Sequence, residues 1–227
     1  MKTKYNILLF FVLSIPLTIY SQYALGGDVY FKGTVGYGFV EDKLFTGIDL
    51  TLNDGTIKDI YISPGGGLNI EWGMGLHISS TLKTELDIAY QYSGDRFGNG
   101  TVLFRKFPVG IALVKEYQKH DSYLLYGKVG LLAILYPHYF DEVYYDDGES
   151  NYIIDYQNSF GGQVGMGLMR RIESERIYFF IEGKYIFGKN LIWKSATEND
   201  IKSEPLPTFG SLNSNGLFLN IGLGYYY

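Results

Sequence analysis

The 227-residue chain has no cysteine, so neither disulfides nor thiolate metal sites can hold it together. No lipid-anchor cysteine follows its apolar N-terminal run. A basic excess is also missing: 19 Lys and Arg stand against 24 Asp and Glu, which argues against a nucleic-acid partner. Beyond that first run there is no apolar stretch near the roughly 20 residues a membrane-spanning helix needs. Spanning helices are therefore excluded from the rest of the chain.

What is present starts with Lys2 and Lys4, an apolar run from Ile7 to Ile19 broken by Pro16, and then Ser21 and Gln22. The run is too short to span a bilayer and suits the apolar centre of a secretory signal peptide. Residues 1–21 are assigned to that peptide and 22–227 to a single barrel domain, with cleavage after Ala24 as the alternative. Without the two signal lysines, 17 basic residues face 24 acidic ones, a net charge of −7.

Aromatic residues make up 17% of the sequence, with 22 tyrosines, and there are 29 glycines. Aromatic girdles at two interfaces and glycines on a crowded interior face would use residues in this way. The last eleven residues show the pattern most compactly. Leu217, Leu219, Ile221, Leu223, Tyr225 and Tyr227 fall on one face of an extended chain, and Phe218, Asn220, Gly222, Gly224 and Tyr226 on the other. The same period recurs in seven earlier segments, beginning with 28–40. The cleanest pair is Leu68 to Ile78 followed by Leu82 to Tyr92, whose register pairs Ile78 with Leu82. A one-residue slip there would place Glu85 and Asp87 among lipid tails.

Further segments run through Phe107 to Leu113, Leu125 to Leu135, Phe160 to Leu168 and Phe179 to Phe187, and Pro108 calls for a bulge or an irregular edge. The connections alternate. Loops are expected at 41–60, 93–100, 137–152 and 189–215, and turns near 80, 120 and 174. The expected fold is all-β: an eight-stranded antiparallel up-and-down transmembrane β-barrel, with periplasmic turns and extracellular loops.

Both a soluble and a membrane barrel have one apolar face, so the other face decides. It carries Gly36, Gly38, Gly73, Gly75, Gly130, Gly161, Gly165, Gly167, Gly222 and Gly224, which a water-facing strand would not favour. A narrow lumen would. The same face carries Lys32, Glu71, Lys83, Glu85, Asp87, Lys128, Glu182 and Lys184, charges of both signs able to pair across the lumen. Such a network plugs a barrel of this size more readily than it lines a pore.

Candidate chemistry is sparse. His77 and Ser79 form an H-x-S pair whose spacing resembles that of outer-membrane lipid A deacylases, but its face and its end of the barrel are wrong for a lipid substrate. A luminal histidine bonded to Glu85 or another neighbour is the simpler reading. Asp141, Glu142, Asp146, Asp147 and Glu149 make an acidic loop without the spacing of a calcium site. No catalytic, cofactor or metal residues are assigned.

Taken with the signal peptide, the alternating segments, the inward glycines, the KFPVGIAL stretch at 106–113 and the aromatic C-terminus, the mature chain resembles the PorT-like family of small bacterial outer-membrane β-barrels. The resemblance implies an outer-membrane location and contact with outer-membrane lipid and lipopolysaccharide. It also implies reading of Tyr225 and Tyr227 by the barrel-assembly machinery. The role expected is non-enzymatic, structural or binding, through four extracellular loops and a protein partner outside the cell or in the periplasm. A narrow solute or ion channel is the alternative, and a lipid A-modifying enzyme ranks third.

Overall fold

The computed structural model describes residues 29–39, 44–51, 57–97, 100–120, 123–145, 148–172, 176–199 and 211–227. The signal segment lies outside them, as do Asp121, Asp146, Asp147, Pro205 and Pro207. Eight strands close the barrel: β1 (Val29–Phe39), β4 (Gly67–Ser79), β5 (Leu82–Phe97), β6 (Gly100–His120), β7 (Tyr123–Tyr145), β9 (Ser159–Arg171), β10 (Ile177–Gly188) and β13 (Gly216–Tyr226). Each pairs antiparallel with the next, and β13 returns to β1 from Tyr30↔Tyr226 to Phe39↔Leu217. Closure leaves no edge strand in the wall.

The outward face is apolar through the middle of the wall, with Arg105, Lys115 and Arg170 exposed only towards its ends. Leu131 and Phe160 are 72% and 71% exposed, and Trp72, Ile111, Val129, Met166, Leu217, Ile221 and Leu223 share that face. A continuous band of this kind would aggregate in water and matches hydrocarbon. Tyrosines and phenylalanines border it: Tyr37, Phe39, Tyr92 and Phe107 towards one end, Tyr117, Tyr123, Tyr225 and Tyr227 at the other.

Inward glycines make room for large rings. A Cβ on Gly75 would lie 2.1 Å from the ring of Tyr30, and one on Gly167 would lie 2.3 Å from that of Tyr126. Gly38, Gly73 and Gly224 likewise seat Phe218, Lys32 and Phe180, whereas Gly130, Gly161, Gly165 and Gly222 lie against neighbouring backbone.

The sequence pattern needs correction at the loops. The expected loop at 93–100 is the tip of a hairpin, because β5 and β6 stay paired out to Phe97↔Gly100. The expected loop at 137–152 is also strand: β7 runs on to Tyr145 and pairs with β8 (Gly148–Tyr156). β8 in turn pairs with β11 (Leu191–Asn199), which meets β12 (Ser211–Leu212), so part of the 189–215 connection is ordered sheet. Within 41–60, β2 (Leu44–Thr51) and β3 (Ile57–Ile62) form a separate hairpin. β6 has 21 residues and β7 has 23, against the 9–11 or so that cross a membrane, so both stand well beyond the apolar band at this extended end.

The β4–β5 register is the expected one from Leu68↔Tyr92 to His77↔Lys83. It then shifts, and Leu82 pairs with Ser79 rather than Ile78. Ile78 is extruded to the outside, 58% exposed, by a bulge beside the tight turn at 80–81. The β5–β6 ladder skips Phe107 and Pro108, where the proline has no amide hydrogen to give, and the β6–β7 register shifts between Arg105 and Phe107. β7 changes partner from β9 to β8 around Tyr136, whose φ of 49° turns the chain there.

Candidate functional site

The lumen is filled in three layers. At the turn end Tyr226 stacks on Tyr30 at 5.2 Å and meets Tyr178 edge-on at 4.6 Å. Lys83 bonds the Tyr226 hydroxyl and the Glu116 carboxylate. Val114, Tyr126, Met169 and Phe180 close the layer from the far wall.

The central layer is ionic. Lys32 lies 2.8 Å from Glu85, 3.3 Å from Glu71, 3.4 Å from Glu182 and 3.6 Å from Asp87. Lys128 bridges Glu85, at 2.5 Å, and Asp87, while Lys184 pairs with Glu71. These seven side chains are at most 5% exposed. A lone ion at such depth costs several kcal/mol, and close opposite charge offsets that cost only when geometry and hydrogen bonds are good. Four carboxylates face three ammonium groups. Neutral donors serve the surplus: Tyr30 donates to Glu85, Tyr126 to Glu182 at 2.9 Å, and Gln163 to Asp87 at 3.1 Å.

The third layer caps the mouth at the extended end. Phe104, Val102, Tyr139, Ile154, Tyr156, Leu191, Leu212 and Phe218 form a buried apolar cluster with Ile62 from β3. Two segments cross beneath it. Gly66 accepts a bond from Gln91 at 2.8 Å, and Ser214 accepts one from Lys106 at 3.0 Å. Asn69 donates to Asn220 at 3.2 Å across the same level.

Of the eight luminal charges named from the sequence, Lys32, Glu71, Glu85, Asp87, Lys128, Glu182 and Lys184 meet in the centre, and Lys83 stands apart in the aromatic layer. The alternation shows these side chains on the inner face but not their layers. It also passes over Lys106, Glu116, Tyr30 and Tyr126 as partners. Parity alone places Lys106 inward, since Val102, Phe104, Lys106, Pro108 and Gly110 alternate inward without a break.

His77 is turned towards Glu116, 4.0 Å away, and its ring lies 5.8 Å from that of Tyr226, so Glu116 takes the place expected of Glu85. Ser79 is exposed beyond the bulge. Glu85 is committed to Tyr30, Lys32 and Lys128. Asp141 and Glu142 fall in β7 and Glu149 in β8, with their side chains outside the described residues. Tyr225 and Tyr227 face outward, 40% and 55% exposed. Tyr225 accepts a bond from Arg176 at 3.3 Å, and the Tyr227 amide donates to the Val29 carbonyl at 2.9 Å.

A groove of about 630 Å³ opens where β4 starts short of its neighbours, lined by Tyr37, Phe39, Tyr61, Leu68, Tyr92 and Ser63 among others. It continues the outward aromatic border, and no charged residue lines it among the described residues.

No family model matches the sequence, and no curated protein is significantly similar to it. Solved structures do match. Outer membrane protein OprG of Pseudomonas aeruginosa is 14% identical, with a TM-score of 0.54 over 88% of this chain and 96% of its own. A major outer membrane protein of Thermus thermophilus is 9% identical, with a TM-score of 0.54 over 88% and 99%. Neisserial surface protein A is 12% identical, with a TM-score of 0.50 over 88% and 97%. At these identities the likeness is one of fold: the chain has the closed eight-stranded architecture of outer-membrane barrels.

Proposed function

We propose that the protein is an integral barrel of the bacterial outer membrane, of the PorT-like kind, that serves as a closed anchor for a non-enzymatic binding or structural platform. The filled lumen carries this reading. Lys32, Glu71, Glu85, Asp87, Lys128, Glu182 and Lys184 consume one another's charge, and apolar layers lie on both sides of them. In an eight-strand barrel little open area remains once side chains occupy the interior.

The location is supported by the apolar band with its two aromatic borders and by the names of the structural neighbours. In that setting the turn end faces the periplasm, and the paired extensions of β5–β8 with β11 stand outside the cell. The extensions form the platform for a protein partner. The aromatic border and the uncharged groove contact outer-membrane lipid and the apolar part of lipopolysaccharide. Tyr225 and Tyr227 present the outward aromatic signal to the barrel-assembly machinery.

The test is reconstitution of the mature chain in planar bilayers, with heat-modifiable gel mobility to show that it is folded. No steady single-channel current is expected. Steady currents abolished by Glu71→Gln would instead make the protein a narrow channel.

A further inference from the structure

The few charged side chains on the outside of the barrel are unevenly placed. At the turn end the exposed cations Lys115, Arg170 and Arg176 stand on β6, on β9 and immediately before β10, within one stretch of wall made by β6, β7, β9 and β10. Around the rest of that end, on β13, β1, β4 and β5, the outward side chains include Tyr225, Phe31, Ile78 and Leu82, and among the described residues none is charged. The turn-end border is therefore cationic on one side of the barrel and neutral on the other.

Each cation is held at the border. Lys115 Nζ donates to Thr81 Oγ1 at 2.6 Å in the β4–β5 turn, which draws the ammonium out of the apolar band. The Arg170 guanidinium lies over the Tyr123 ring, 5.2 Å from its centroid, and Arg176 donates to the Tyr225 hydroxyl at 3.3 Å. Among the described residues no carboxylate oxygen comes within 4.0 Å of the Lys115 ammonium or the Arg170 guanidinium. β7 runs between these two: Lys115 faces Gly127 in register, and Arg170 faces Tyr123 nearer the turn. At Tyr117 the β6–β7 register shifts, and the bulge lays the tyrosine ring against Gly127, where a Cβ would come within 2.8 Å of it. The exposed side chains of Tyr117, Leu125 and Tyr123 thus form a platform flanked by the two cations.

We propose that this face binds one anionic phospholipid, with Lys115 and Arg170 on its phosphate and headgroup and Tyr117, Leu125 and Tyr123 against its glycerol and first acyl carbons. The inference rests on the membrane reading above, in which the turn end meets the periplasmic leaflet. The cations favour a headgroup of net negative charge over a zwitterionic one, whose own ammonium they repel. A lipid is favoured over a soluble anion because the aromatic platform runs without interruption into the apolar band through Val129 and Met166.

Native mass spectrometry tests this on the mature protein, released from micelles that hold equal amounts of phosphatidylglycerol and phosphatidylcholine with the same acyl chains. Heat-modifiable gel mobility checks that the barrel is folded in each sample. The first lipid retained should be phosphatidylglycerol, by about tenfold over phosphatidylcholine. Lys115→Gln combined with Arg170→Gln should bring that ratio to about one. Arg105→Gln, which removes the outward cation at the extended end, should leave it at the parental value. If the double variant gives no heat-modifiable form, the single variants decide, each lowering the ratio about threefold. A parental ratio near one, selectivity that survives in the folded variants, or an equal loss in Arg105→Gln would overturn the proposal. Failure of the membrane reading itself would look different, since neither lipid would then be retained, and it would overturn both.

Discussion

The central layer and the mouth of the barrel both bury lysine, in opposite ways. Lys32, Lys128 and Lys184 lie among four carboxylates, with hydroxyl and amide donors serving the excess negative charge. Lys106, no less buried, has one backbone carbonyl. An ion pair that spans the lumen ties strands together across the barrel, since Lys184 on β10 and Glu71 on β4 are far apart in the wall. A single bond from Lys106 to the Ser214 carbonyl ties the mouth less firmly. Among the described residues the central lysines are paired with carboxylates, whereas Lys106 at the mouth is not.

The contrast can be broken by removing one lysine at a time. Lys128→Met leaves Glu85 and Asp87 with Lys32 alone, which Glu71 and Glu182 also share, and should destabilise the barrel by about 3–5 kcal/mol, read from urea unfolding in phospholipid vesicles. A smaller loss is expected at the turn end. Tyr226→Ala removes a half-buried ring that stacks on Tyr30 and meets Tyr178 edge-on, and should lower stability by about 2–4 kcal/mol in the same titration. The smallest effect has the opposite sign: Lys106→Met should raise stability by about 1 kcal/mol, because an apolar side chain of similar length needs no counter-ion.

The difference between wall and mouth also explains how much the sequence discloses. In the wall, an apolar outer face and a crowded lumen force strict alternation, so all eight barrel strands and the facing of residues such as Ile221 and Glu71 can be read directly. Above the apolar band that division ends. β8, β11 and the upper parts of β6 and β7 are specified by pairing with one another, which leaves little periodic trace in 137–152 or 189–215. The layering is hidden for another reason. Which luminal charges meet depends on how strands on opposite walls are staggered, so Lys184 with Glu71, or Lys83 with Glu116, cannot be inferred from either strand alone. The bulge that extrudes Ile78 is set by the two-residue turn that follows it, a local detail that alternation does not encode.

The most direct test sets Lys128→Met and Lys106→Met beside the parent in one equilibrium unfolding series, in vesicles of one lipid at one pH. The account predicts midpoints that move apart, with Lys128→Met unfolding at lower urea than the parent and Lys106→Met at equal or higher urea. A fall of similar size in both would mean that Lys106 is as well compensated as the central lysines, and would contradict the distinction between a paired core and an unpaired cation at the mouth.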